Sequence, residues 1–178
     1  GQSVLPIEEI VSLNMLDVTD KYYKTHEVAP EALLESSRVA YVLSSQREIV
    51  EKNLKSAYNN VVVNFLNSSN FDKALKFAEY SNDRDKLVHS IYHNKGVYYF
   101  NKEDFQTALG AFENAGEQDA VKNCYAGLFS QEQKKLGSIK TQDDIKANKG
   151  IIKNMAIYAK NSGNQSLVDY VDSLKKYL

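Results

Sequence analysis

The spacing of apolar residues along the chain repeatedly follows the period of an α-helix. Between residues 49 and 66, for example, apolar side chains recur every three or four positions, and polar turn-forming residues follow at 67–70. Two β-prone stretches, 61–63 and 97–100, each lie inside a longer helical period. No window shows convincing alternation of apolar and polar residues between turn signals. The pattern therefore predicts an all-α chain of about nine helices without a sheet.

Capping residues and turn-forming residues predict where these helices begin and end. Ser45 and Glu48 have the spacing of a capping box, and Thr141 and Asp144 repeat it with Asp in place of Glu. Gly116 and Gly137 are predicted to end helices, because glycine adopts the left-handed conformation found after a last helical turn. The helices predicted on this basis cover about residues 7–24, a segment from 30, 45–66, 71–79, 85–100, a segment ending at 115, 119–135, 141–160 and a last segment that contains 167–174.

Two segments of the chain match each other at one constant spacing, which we call the repeat spacing. Small residues stand where two helices of a hairpin would cross, and aromatic residues stand where they would fill the space between neighbouring hairpins. One such hairpin cannot bury its apolar face alone, so it stacks on the next. The matched pairs, all separated by the same number of positions, are Tyr58 with Tyr92, Phe65 with Tyr99, Phe71 with Phe105, and Ala74 with Ala108.

This pattern resembles the tetratricopeptide repeat (TPR) family over about residues 55–116. The second segment carries the family pattern in order, with Tyr92, Gly96, Tyr99, Phe105, Ala108, Phe112 and Ala115. The first departs from it, because Val62 replaces the glycine and Ala78 stands where a large aromatic residue is usual. The resemblance implies stacked antiparallel helix pairs in a right-handed superhelix. We expect one domain over 1–178, with helices in 1–54 and divergent repeat or capping helices in 117–178.

Proteins of this family usually bind a peptide or a partner protein in a concave groove, so the resemblance implies a non-catalytic interaction scaffold. Side-chain amides can donate and accept hydrogen bonds at once, and can therefore satisfy a peptide backbone. A subtype of the family clamps a C-terminal carboxylate, but Asn59 and Val63 stand where its lysine and asparagine are expected, and only Asn94 matches. The implied groove residues are Asn59, Asn60, Val63, Asn67, His89, His93, Asn94, Val97 and Asn101.

The formal net charge of −1 and the pI near 6.4 argue against a dedicated nucleic-acid-binding protein. No apolar run approaches the length of a membrane span, so we expect no membrane insertion. Charge is nevertheless uneven, because residues 1–51 hold nine acidic and four basic side chains, whereas residues 134–178 hold nine lysines and four aspartates. The oppositely charged ends suggest steering of a partner or self-association between copies, and solvated helix faces are the plainer interpretation.

The sequence offers little for catalysis or for a metal. His89 and His93 share a helix face with Asp85, but Ser90 stands where a zinc-protease helix carries its glutamate. Cys124 is the one cysteine and lies in an apolar helical stretch, which is typical of an inert buried thiol. We therefore expect no enzyme and no cofactor.

An extracytoplasmic domain that binds a small ligand, or that serves as an accessory or sensor domain of a larger complex, is the alternative function. The chain begins Gly1-Gln2-Ser3 without an initiator methionine. Cytoplasmic and extracytoplasmic locations both stay open, since a start of this kind fits removal of a signal peptide as well as a cytoplasmic chain.

Overall fold

The computed structural model of the chain describes residue 38 and residues 47–178. Those residues form helices and connecting turns, with no strand among them. The chain divides into two compact units between Ile91 and Tyr92, and each unit is described by itself. The helices are α1 (Arg47–Asn67), α2 (Phe71–Ala78), α3 (Arg84–Asn101), α4 (Phe105–Ala115), α5 (Gln118–Leu136), α6 (Gln142–Ala147), α7 (Lys149–Ser162) and α8 (Gln165–Lys175).

The all-α prediction is confirmed for the described residues. The β-prone stretches 61–63 and 97–100 are helical, as their longer period indicated. Gly116 ends α4 in the left-handed conformation, with a φ of 74°, and Gly137 follows the last residue of α5. The helices predicted before residue 47, and the capping box predicted at Ser45, lie outside the described residues.

The single helix predicted over residues 141–160 is wrong, because the chain forms two helices there, α6 and α7, on either side of Asn148. The side-chain amide of Asn148 donates to the carbonyl oxygen of Asp144 at 2.8 Å, and its backbone leaves the helical region at φ −102° and ψ 20°. Asparagine side chains compete with the backbone for such carbonyls, which explains the break. The predicted capping box is confirmed at the start of α6, where Thr141 and Asp144 bond each other's backbone N–H groups.

The repeat also appears in the backbone of two turns, residues 68–70 and 102–104. Ser69 and Glu103 both adopt a positive φ, of 56° and 59°. The next residues, Asn70 and Asp104, each accept a bond from the backbone N–H three residues on, and so cap α2 and α4 in the same way. The same local geometry therefore recurs in both units at the repeat spacing that the side chains predicted.

The core of the first unit forms where α1 and α2 pack against each other. Ala57, Tyr58 and Val61 of α1 are buried there. Phe77 of α2 stacks on Phe65 of α1, with ring centroids 5.5 Å apart and planes 9° from parallel. The apolar period of α1 is therefore explained by its contact with α2.

The second unit contains the packed helix pairs α4 with α5, α5 with α7, and α7 with α8. Two clusters of buried residues lie between them. One consists of Ala108, Leu109, Phe112, Val121, Cys124 and Leu128, and the other of Phe129, Leu136, Ile145, Ile152, Met155, Ala159 and Val171.

Two glycines of the second unit permit close helix contacts. A Cβ atom on Gly96 of α3 would lie 2.5 Å from the Phe112 ring, and one on Gly127 of α5 would lie 2.6 Å from the Phe105 ring. Real Cβ atoms essentially never come this close to another atom. Both rings therefore pack directly on glycine backbone, which explains why Gly96 is small.

Candidate functional site

Four of the predicted groove residues lie on the outward face of α1. At 100° per residue, Asn59, Asn60, Val63 and Asn67 fall within an arc of about 100°, opposite the side that packs on α2. Asn60 and Asn67 are exposed, and Val63 keeps 46% of its surface in contact with solvent. Three of the four side chains on this face of α1 are therefore exposed to solvent.

Asn59 differs from the other three because it is half-buried and already bonded. Its Oδ1 atom accepts a hydrogen bond of 2.5 Å from the Ser81 hydroxyl, which lies in the turn after α2. The Ser81 hydroxyl also accepts from the backbone N–H of Asp83 at 3.0 Å. Asn59 therefore has a structural bond to the turn, and its side chain has less capacity left for a partner than Asn60 has.

The other five groove residues lie on α3. His89 is exposed and belongs to the first unit. His93, Asn94, Val97 and Asn101 belong to the second unit, where they fall within an arc of about 100° on the exposed side of the helix. Val97 is 39% exposed. The nine predicted residues thus lie on the outward sides of two helices, four on α1 and five on α3. A groove that joins them stays a prediction.

His93 is fixed by a contact that the sequence did not indicate. Its Nδ1 atom lies 2.7 Å from a carboxylate oxygen of Glu117, the residue just before α5, and its ring meets the edge of Phe112 with centroids 6.4 Å apart. A carboxylate at Nδ1 favours the tautomer that carries its proton there. The other ring nitrogen, Nε2, then faces away from Glu117 as a hydrogen-bond acceptor. No spacing along the chain points to Glu117, because the contact joins two helices that are not neighbours in sequence.

The weak metal hypothesis for His89, His93 and Asp85 gains no support. Asp85 accepts a hydrogen bond of 2.9 Å from Arg84, which also holds Glu79 through two bonds of 2.7 Å and 2.9 Å. The hydrogen bond from Arg84 is the main cause that lowers the pKa of the Glu79 carboxyl. Within residue 38 and residues 47–178, no group of three histidine, cysteine or acidic side chains could hold a metal ion.

Cys124 is fully buried in α5. Burial raises the pKa of its thiol to about 11, and the nearby negative charge of Glu113 acts in the same direction. A nucleophilic cysteine needs a lowered pKa and access to its substrate. Cys124 has neither, so its environment matches the expectation of an inert thiol.

Glu132 of α5 is a buried carboxylate that sequence reasoning missed. It keeps 8% of its surface exposed, receives a bond of 2.6 Å from Lys135, and accepts a longer one of 3.4 Å from Asn154 of α7. The helical spacing of Glu132 from the apolar residues of α5 could have placed it on the buried side of that helix. With both oxygens bonded, Glu132 links α5 to α7 and is not a candidate for acid–base chemistry.

A shallow pocket of about 210 Å³ lies beside the start of α6 and opens widely to solvent. Ile139, Ile145 and Tyr177 give it an apolar side, and Lys140, Thr141 and Gln142 give it a polar side. Sites for small ligands are usually deeper cavities of about 300–1,000 Å³. This pocket therefore does not favour the small-ligand alternative.

None of the helices in the described part of the chain is both long enough and apolar enough to cross a membrane. Comparison with protein-family models, with curated proteins and with solved structures finds no match to this chain.

Proposed function

We propose that this chain is a non-catalytic scaffold that binds a peptide or a segment of a partner protein on the outward faces of α1 and α3. One observation carries the proposal. Val63 and Val97 stand one repeat spacing apart, and both expose an apolar side chain among exposed amides, at 46% and 39%. A repeated exposed valine on two helices is the feature that a partner would recognise.

The chemistry of these faces suits a polypeptide. Covering a half-exposed valine contributes about 1 kcal/mol through the hydrophobic effect. The neighbouring amides, Asn60 and Asn101, can each donate to and accept from a peptide bond. Because neither face carries a cluster of charged side chains, the preferred partner segment would combine apolar side chains with an accessible backbone.

The proposal includes the arrangement that the TPR resemblance implies, namely stacked antiparallel helix pairs in a right-handed superhelix. Its support is the recurrence of the positive-φ residue and the N-cap in the turns before α2 and α4. In such a superhelix the first helices of successive pairs, here α1 and α3, would line one concave groove.

Capture of partners with a groove variant tests the proposal. The variant carries Asn60→Ala, Val63→Ser, Val97→Ser and Asn101→Ala. Asn59 and His93 stay unchanged, because they bond to Ser81 and Glu117 and their loss would disturb the fold. We expect the wild-type chain to capture a partner that the groove variant loses, while circular dichroism and the unfolding temperature of the variant stay close to those of the wild type.

The matched control removes exposed amides elsewhere, through Asn82→Ala, Asn123→Ala and Asn161→Ala. It should capture the same partner as the wild type. Equal capture by the groove variant and the control would contradict the proposed binding face. If no protein is captured and a small molecule raises the unfolding temperature, the alternative ligand-binding function would replace the scaffold.

A further inference from the structure

The exposed side of α7 carries a stripe of lysines. Lys149, Lys153 and Lys160 are all exposed and fall within an arc of about 40° along the helix. They extend over roughly 16 Å, at 1.5 Å of rise per residue. Ile157, which is 49% exposed, lies next to the stripe on the outward side. We call these three lysines the α7 lysine stripe.

The positive charges of the stripe lysines are not paired with acidic residues of the second unit. Three other lysines of the second unit, Lys122, Lys135 and Lys175, pair with an acidic residue three positions away on their own helix. No carboxylate of residues 47–178 pairs in this way with the stripe lysines. Three aligned cations without counter-charges favour an anionic partner of matching length.

The aspartates near the C-terminus do little to neutralise the stripe. Asp144 is bonded to the backbone at the start of α6, Asp169 accepts from Gln165, and Asp172 lies 4.0 Å from Lys175. Residues 134–178 therefore keep a clear excess of positive charge, with nine lysines against four aspartates.

The chain itself contains a segment of complementary charge, the acidic residues 1–51, with nine acidic and four basic side chains. We propose that the α7 lysine stripe docks this acidic segment of a second copy of the chain. Residues 1–51 and residues 134–178, which include the stripe, carry opposite and equal net charges, and the total of −1 lets two copies approach without strong overall repulsion. Ile157 adds apolar contact within the charged surface.

A polypeptide fits the stripe better than nucleic acid does. Residues 134–178 contain no arginine, which is the side chain best suited to bidentate phosphate contacts, and no aromatic residue lies within the stripe for base stacking. A nucleic-acid-binding domain usually carries a strong positive balance, whereas this chain is slightly acidic. The contact is expected to be weak, since exposed ion pairs contribute little and salt screens them.

The mass of the full chain in solution, measured by light scattering at several protein concentrations, tests the proposal. At low salt the weight-average mass of the wild type should rise above that of one chain as concentration increases. High salt should return it to that of one chain, because the screening length falls from about 30 Å at 0.01 M to about 3 Å at 1 M. A mass that does not depend on salt, or a single-chain mass under all conditions, would overturn the proposal.

Charge reversal locates the surface. The variant Lys149→Glu, Lys153→Glu and Lys160→Glu should stay a single chain at low salt. Loss of its fold is checked by circular dichroism.

A control with the same change of net charge, made at exposed lysines elsewhere, carries Lys52→Glu, Lys76→Glu and Lys86→Glu. It should associate like the wild type. If both variants lose association equally, overall charge and not the stripe is responsible, and the proposal fails.

A reciprocal exchange tests the occupant. A copy with Glu27→Lys, Glu31→Lys and Glu35→Lys should not associate alone, but should form mixed complexes with the stripe variant. Failure of this mixture to associate would remove the acidic segment as the occupant. A wild type that stays a single chain but is retarded by a thymidine oligonucleotide would overturn the proposal and assign the stripe to nucleic acid.

Discussion

Phe112 occupies the space that a side chain on Gly96 would need, since a Cβ there would lie 2.5 Å from the ring. The equivalent pair in the first repeat, one repeat spacing earlier, is Val62 and Ala78, and both are fully buried. One pair therefore combines no side chain with a large ring, and the other combines a medium side chain with a small one. The two departures of the first repeat from the TPR pattern thus change side-chain volume in opposite directions, which is the compensation expected where a helix contact leaves a fixed space to fill.

This relationship predicts a strong coupling between Gly96 and Phe112. Gly96→Val should lower the free energy of unfolding by about 1–3 kcal/mol through overpacking, and Phe112→Ala by about 3–5 kcal/mol through a cavity. The double variant reproduces the pair found at Val62 and Ala78. Its loss of unfolding free energy should be smaller than the sum of the two single losses by about 0.5–3 kcal/mol. Urea unfolding of the four proteins measures this coupling.

Gly110 is the matched control, because a Cβ there would meet nothing within 4 Å. Gly110→Ala should be neutral or should stabilise the chain by about 0.5–1 kcal/mol, as alanine is the better helix former. Additive effects of Gly96→Val and Phe112→Ala would contradict the compensation.

Cys124 should be unreactive in the folded chain. A disulfide reagent at pH 8 is expected to label it only as fast as the chain unfolds, because the thiol is buried and its pKa is raised to about 11. Labelling in guanidinium chloride should be rapid. Fast labelling of the folded chain at pH 8 would contradict the structure.

The raised pKa of Cys124 also predicts a pH dependence of stability. The folded chain disfavours the thiolate, so the contribution is fully present below the ordinary thiol pKa of 9.0 and is lost as the pH rises toward about 11. Between pH 9 and 11 the wild type should lose more stability than Cys124→Ala does. Parallel declines of the two proteins in urea unfolding would show that the thiol does not titrate with a raised pKa.

The capping box at Thr141 predicts that the stability of the fold falls as the pH is lowered, whereas Cys124 makes it fall as the pH rises. Hydrogen bonds from the backbone N–H groups of Lys140 and Thr141 lower the pKa of the Asp144 carboxyl below its ordinary value of 3.8. Its stabilising contribution is therefore present above that value and is lost as the pH falls through the lower, folded-state pKa. Asp144→Asn should reduce the unfolding temperature at pH 7 and have little effect at strongly acid pH.

Thr141→Ala serves as the control for this pH dependence. It removes the hydroxyl that accepts from the Asp144 N–H, and should cost about 1 kcal/mol. This loss should persist at acid pH, where that of Asp144→Asn has disappeared. Losses with the same pH profile in both variants would contradict the role of the charged carboxylate.

How much the sequence predicts depends on the range of each interaction. The helices predicted between residues 47 and 136, the end of α4 at Gly116 and the capping box at Thr141 follow from residues a few positions apart, and they are confirmed. The break at Asn148 was missed, although it is equally local, because an asparagine inside an apolar helical period gives no sign of which carbonyl it will bond. Glu117 beside His93 depends on two helices packing together, and no spacing along the chain specifies that contact.

His93 and Glu117 give a last prediction, for the exposed face of α3. At neutral pH, the Glu117 carboxylate should keep the His93 proton on Nδ1, since the two atoms lie 2.7 Å apart. Nitrogen-15 NMR should therefore show Nδ1–H as the dominant neutral form, and Glu117→Gln should reduce that dominance. Glu117→Gln should also lower the unfolding temperature, because it removes the charged partner of His93. An identical tautomer ratio in both proteins would show that the pair does not control His93 in solution.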